Sequence, residues 1–201
     1  HRMTFHAPLA AAGAVRSQTR VTRVVDKGAS KGALVVTVRD ISDAESGTPL
    51  ATVEHVSFCR ADGGFGQGDE PPDALPATPE RAPDQVVLLP TLPQQALLYR
   101  LNGDLNPVHA LPHMARAAGF DRPILHGLCT YGMAARALLQ ACAPAAPQRL
   151  GGIAARFSAP FFPGETLRVE LWRDGDSLRF RALAHERGTV VLSNGVANLA
   201  H

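Results

Sequence analysis

The sequence has no long apolar run. None of its stretches approaches the roughly 18 to 20 residues that span a bilayer, so no membrane segment is expected, and no secretory leader either. Cysteine is scarce, with Cys59, Cys129 and Cys142 widely spaced and odd in number. That spacing suits neither a disulfide framework nor a zinc site, and a reducing cytoplasm is the expected setting. Basic runs are missing as well. A formal charge of +2 spread over 201 residues leaves no footprint for nucleic acid. Neither a dinucleotide-binding glycine pattern nor a P-loop occurs, so no nicotinamide, flavin or nucleotide cofactor is expected. What is present is apolar content: 45% of residues are hydrophobic, enough for one sizeable core or two small fused ones.

Along the chain, two unequal pieces flank a polar stretch. Apolar and polar residues alternate over 19–25 and again over 34–38. Turn residues at Asp26-Lys-Gly28 and Ser46-Gly-Thr-Pro49 separate these runs, and a third run, 50–58, follows in the manner of an antiparallel hairpin. Residues 61–85 are rich in Gly, Pro, Asp and Glu and read as a linker or surface loop. Beyond them the pattern changes. A short element over 95–101 leads to Asn102-Gly-Asp104, and Asn106-Pro107 reads as an N-cap followed by proline at the first helical position. The spacing predicts a helix from there to about Ala118, ended by Gly119. A second helix, 126–142, is apolar or small almost all round and should be buried. Strand spacing resumes from Ile153, over 167–171, 178–183 and 189–192.

An internal repeat links the two pieces. Phe5-His-Ala-Pro-Leu9 matches Phe157-Ser-Ala-Pro-Phe161, and each leads into alternating strands. The second copy has helices before its strands, and the first has none. Val21, Val24, Leu34, Val36 and Val38 should therefore form an apolar patch that needs a cover. The expectation is that the chain begins part-way through the first copy, with upstream residues supplying the missing helix.

Chemistry concentrates in Tyr99-Arg-Leu-Asn-Gly-Asp-Leu-Asn-Pro-Val-His109. Asp104, Asn106 and His109 lie two and then three residues apart, where a turn becomes a helix start. A carboxylate, an amide and an imidazole can converge there. Adding water to an electron-poor double bond needs a base for the water proton and an acid for the neighbouring carbon, and an Asp–His pair can supply both. The developing enolate also needs N–H donors aimed at its oxygen. Gly127, at the start of the second helix, offers a free N–H, a positive helix end and no side chain in the way.

This segment resembles the signature of the hydratase 2 family, the MaoC-like hotdog proteins, whose pattern is Tyr-x-Leu-x-Gly-Asp-x-Asn-Pro-x-His. Pro123-Ile-Leu-His-Gly-Leu-Cys-Thr130, Ala155-Arg-Phe157 and Pro163-Gly164 resemble the segments that follow it in that family. The resemblance implies an α+β double hotdog, an antiparallel sheet wrapped around a central buried helix, with the first hotdog incomplete. The partial first unit would be 1–60, the linker 61–85 and the catalytic unit 86–201. It implies an (R)-specific enoyl-CoA hydratase, a hydro-lyase that adds water reversibly and syn to trans-2-enoyl-CoA, working as a homodimer. Asp104 and His109 would be the acid–base pair, Asn106 their support and Gly127 the donor to the thioester carbonyl. Lys27 and Phe157 would contact the acyl-CoA, and coenzyme A would enter only as part of the substrate.

Blander readings exist for each residue. A Gly-Asp-x-Asn-Pro turn by itself is a turn former or a cap, and Lys27 by itself an ordinary turn lysine. His126 reads as a cap for the second helix. A metal would want at least three close ligands, more than Asp104 and His109 provide. The rival functions are a dehydratase on an acyl-carrier-protein thioester, a thioesterase, and a non-catalytic acyl-CoA-binding hotdog subunit.

Overall fold

Alternating strands, one long helix and a polar strap make up the computed structural model, which describes residues 1–144, 146–174 and 177–199. The strands are β1 (Arg2–Phe5), β2 (Val15–Asp26), β3 (Ala33–Asp43), β4 (Pro49–Cys59), β5 (Gln85–Pro90), β6 (Leu150–Phe157), β7 (Thr166–Asp174), β8 (Ser177–Ala184) and β9 (Thr189–Leu199). The helices are α1 (Gln95–Tyr99), α2 (Pro112–Ala117) and α3 (Gly127–Cys142). All nine strands form one antiparallel sheet in the order β2-β3-β4-β1-β6-β9-β8-β7-β5.

The repeat in the sequence is a repeat in space. Counted outward from the β1–β6 junction, each side runs first, fourth, third and second strand of its own copy. The paired Phe5 and Phe157 motifs end the two strands that meet there, and β1 pairs β6 with Met3 opposite Ile153. In the second copy, Leu167, Val169 and Leu171 of β7 and Leu178, Phe180 and Ala182 of β8 are buried. They share a face through the pairs Leu171–Phe180 and Val169–Ala182, as the two-residue period of a strand requires.

Helix α3 packs on that face. Ala134, Ala137 and Leu138 are fully buried, and the two alanines let the helix axis approach the sheet closely. Burying a leucine such as Leu138 contributes about 1.5–3 kcal/mol. The helix is one-sided, however. Leu128, Gly132, Arg136 and Gln140, spaced four apart, form an exposed stripe, so the sheet covers α3 along one side only.

Two expectations are corrected by local chemistry. The single helix over 107–118 is two pieces, a 3-10 turn at Pro107–His109 and then α2. Pro112 has no N–H to continue the first piece, and it holds Leu111 in an extended conformation, φ −103° and ψ 114°. The expected apolar patch does not share one face either. Leu34, Val36 and Val38 point to the outer face of the sheet, while Val21 and Val24 pair with Thr37 and Val35 on the inner one. Val36 is 1% exposed and Val21 59%.

Residues 60–84 contain no helix or strand, yet this segment is tied down along its length. Gly64 and Gly66 donate to the Asp26 carboxylate, which these bonds hold below the ordinary carboxylate pKa. Asp69 bonds both backbone groups of Val24. The strap then crosses the outer face, accepting from Asn194 at Leu75 O, Arg179 at Ala77 O and the Trp172 indole at Arg81 O. It buries Trp172 to 1% exposure and delivers the chain to β5 at the opposite edge.

Candidate active site

The Gly-Asp-x-Asn-Pro segment forms its site by local hydrogen bonding. After α1 a 3-10 turn ends at Gly103, whose φ of +103° lies in the left-handed region where a side chain would be strained. That reversal presents Asp104. The Asp104 Oδ1 accepts from the Asn106 N–H (3.2 Å), and the Asn106 Oδ1 accepts from Val108 N–H (3.2 Å), capping the 3-10 turn that carries His109. The cap read from Asn106-Pro107 is therefore present. Asp104 and Asn106 are exposed, and His109 is buried.

The His109 ring is held by its far nitrogen. Nδ1 lies 2.8 Å from the Ile124 carbonyl. A carbonyl can only accept, so Nδ1 carries the hydrogen and Nε2 presents a lone pair. Behind it lies His126, 1% exposed, its ring stacked on His109 with centroids 3.7 Å apart and planes 24° from parallel. Its Nε2 donates to the Asp104 backbone carbonyl (3.2 Å), and Tyr99 covers its other side at 4.8 Å. Burial and the adjacent His109 lower the His126 pKa, which favours the neutral ring. His126 makes no side-chain cap to α3, contrary to the reading of it as a cap. The role of His126 was missed in the sequence because its partners, His109 and the Asp104 carbonyl, are brought to it only by folding.

Gly127 opens α3, and no hydrogen-bond partner for its N–H occurs among the described residues. A Cβ at this position would lie 3.1 Å from the Phe157 ring, so a side chain here would push the ring back from the helix start by a few tenths of an ångström. Asp104, Gly127, Leu128 and Phe157 line a cavity of about 460 Å³, whose opposite wall is Thr19, Thr37, Arg39 and His55. A second opening of about 330 Å³ reaches Gly127 and Phe157 from the other side, with Arg60, Phe120 and Ser158 in its wall. Asp104, Gly127 and Phe157 are thus neighbours, while His109, buried and within 4.8 Å of an Asp104 carboxylate oxygen, and the exposed Asn106 line neither cavity. Lys27 is not among the residues lining either cavity; it sits exposed in the β2–β3 turn, its N–H bonded to Gly32 O.

Folding adds a third donor that the spacing did not reveal. One ligand atom from each of Asp104, His109 and His126 lies within 4.8 Å of the others. Ligand count therefore gives no reason against a cation; ring geometry does. Two imidazole planes stacked at 24° cannot both aim in-plane lone pairs at one ion about 2 Å away. The arrangement suits proton transfer better. A ring nitrogen of His109 lies within 4.8 Å of an Asp104 carboxylate oxygen, and Asp104 and the Gly127 helix start line one cavity.

Residues 74–195 match the family model for the MaoC like domain. The chain belongs to the MaoC-like dehydratase family. Among relatives of this MaoC-like chain, an enoyl-CoA hydratase of Mycobacterium tuberculosis, ChsH3, is 44% identical over 195 residues, covering 97% of this chain and 67% of the relative. The crystal structure of a MaoC-like dehydratase from Phytophthora capsici superposes with a TM-score of 0.92 at 35% identity, covering all of this chain and 70% of that one. A Mycobacterium tuberculosis protein with a double hotdog fold matches at a TM-score of 0.60 and 16% identity, over 98% of this chain and 72% of its own, a likeness of fold alone. The sheet and α3 are accordingly of hotdog type. The chain spans between 26% and 67% of the length of the first curated relatives it matches.

Proposed function

We propose that this MaoC-like chain is the catalytic part of an (R)-specific enoyl-CoA hydratase, adding water reversibly and syn to a trans-2-enoyl-CoA. The observation that carries this is the Asp104–His109 pair beside the unpartnered N–H of Gly127. In this reading the thioester carbonyl lies on the Gly127 N–H at the positive end of α3, where the enolate charge develops. The Asp104 carboxylate and His109 Nε2 hold the water. One of them takes a water proton as the oxygen bonds C3, and that proton then passes to C2 from the same side. The elements of water are added in full and both side chains return to their starting state. Asn106 supports by fixing the turn.

The acyl chain would occupy the larger cavity, and the pantetheine arm would leave past Phe157 through the smaller one, with Lys27 reaching the coenzyme from the β2–β3 turn. No metal or redox cofactor takes part, and coenzyme A belongs to the substrate. The site would sit in a double hotdog, with 1–60 as a partial first unit, 61–85 as the linker and 86–201 as the catalytic unit. The exposed Val21 and Val24, and relatives longer than this chain, support that division. A cytoplasmic homodimer completes the reading. Hydration of crotonyl-CoA, followed by loss of the enoyl absorbance band with chiral analysis of the product, tests it. Expected is (R)-3-hydroxybutyryl-CoA; no absorbance change, or the S product, overturns the proposal.

A further inference from the structure

His126 is the most deeply buried ionisable side chain in the site, and acid–base chemistry as described makes no use of it. For stability alone it is a poor choice. Its Nδ1 is buried without a hydrogen-bond partner, and leaving such an atom unpaired costs about 1–3 kcal/mol. A hydrocarbon ring in the same slot between Tyr99 and His109 would avoid that cost. The imidazole is therefore explained by what it touches. On one face it stacks on His109 at 3.7 Å; from its edge the Nε2–H reaches the Asp104 carbonyl.

The two contacts constrain different things. The hydrogen bond from His109 Nδ1 to Ile124 O fixes one atom of the ring, but the ring plane can still tilt about that bond. The stack fixes the plane, and with it the direction of the Nε2 lone pair. The Nε2–H bond fixes the turn at Asp104, a residue that is itself exposed and otherwise held by the Asn106 N–H. His126 directly precedes Gly127, so one residue sets the mutual placement of base, carboxylate and N–H donor. We infer that His126 is a positioning residue that aligns His109 and the Asp104 turn with the Gly127 N–H by stacking and by its Nε2–H.

Neutrality belongs to this role. The titratable and charged groups around the His126 ring are His109, Asp104, Arg100 and Tyr99. Burial, His109 and Arg100 oppose a second charge, while Asp104 favours it without prevailing. A neutral platform leaves the proton to be exchanged on His109 and does not repel the imidazolium that forms there.

The inference rests on the hydratase reading, and its test separates the two. His126→Phe keeps a flat ring and loses the donor, His126→Gln keeps a donor and loses the stack, and His126→Ala loses both. In the full-length protein the readouts are kcat and KM for crotonyl-CoA per folded molecule, and the tilt of the His109 ring in crystal structures of the variants. A misplacement of reacting groups by about 1 Å costs on the order of 10²-fold. His126→Ala should lose about that much in kcat with KM within about twofold, and its His109 ring should tilt about the Nδ1–Ile124 bond. His126→Phe should recover a large part of the loss and keep the ring plane of the wild type. Near-wild-type kcat in His126→Ala, a loss that only follows the folded fraction, or an unchanged His109 ring plane would each overturn it. Should the wild type hydrate no enoyl-CoA, the hydratase reading fails, and the ring plane still decides whether His126 aligns His109.

Discussion

The two copies in this chain use one strand order and differ in what lies on them. From the junction outward, β1, β4, β3 and β2 mirror β6, β9, β8 and β7. The second copy carries α3 on its inner face, and its main apolar cluster is drawn wholly from residues 89 onward, with Met3 and Phe5 packed at its margin. In the first copy Val36 is the one member of the largest fully buried side chains, while Val15, Val21 and Phe58 remain more than half exposed. A strand pattern is thus enough to build a sheet, but only a covering element makes it a core. The candidate site follows the covering element, because His126 and Gly127 meet Asp104 only at the start of that helix.

The largest effect expected from this asymmetry is catalytic. Asp104→Asn and His109→Ala should each lower hydration by about 10²- to 10⁴-fold. Circular dichroism should be unchanged in both, and melting should hold for the exposed Asp104 but fall for His109→Ala, which removes a buried ring stacked on His126 and bonded to Ile124 O. Lys27→Ala, in the first copy, should alter KM for the acyl-CoA and leave kcat within about twofold if the lysine only binds coenzyme. A kcat loss for Lys27→Ala as deep as that of Asp104→Asn would mean that the first copy shares in the chemistry.

Stability should divide the same way. Leu138→Ala, under α3, should cost about 2–5 kcal/mol in denaturant unfolding. In this 201-residue chain Val21→Ala, exposed on the inner face of β2, should stay within about 0.5 kcal/mol. A larger cost for Val21→Ala in a longer form of the protein would show that added residues cover that face, as the double-hotdog proposal requires.

The smallest effect is on pH dependence. The His126 pKa is lowered in the fold by burial from an ordinary value of 6.5, so the folded state favours the neutral ring. Its contribution to stability is present above 6.5 and is lost as pH falls below that value toward the folded pKa, because the unfolded chain takes up the proton first. His126→Phe should therefore flatten the fall of melting temperature with pH in that range, whatever its effect on the absolute value. An identical slope in wild type and variant would remove His126 as a source of acid sensitivity.

Much of this molecule was written locally. Alternation over 19–25, 34–38, 167–171 and 178–183 marked strands because a strand turns successive side chains to opposite faces. Asn106-Pro107 marked a cap, and the small residues of 127–142 a helix against the sheet, although one stripe of it stays exposed rather than buried as expected; these depend on neighbours a few positions away. The Asp104–His109 pairing was legible for the same reason. Tertiary structure alone decided what depends on distant segments meeting. The polar stretch after Cys59 became a strap because Trp172, Arg179 and Asn194 donate to its carbonyls. The expected patch split across two faces because the β2–β3 register, shifted between Val21 and Arg23, fixed which side chains share a side. His126 joined the site because folding stacked it on a residue seventeen positions away, a contact that no periodicity along the chain encodes.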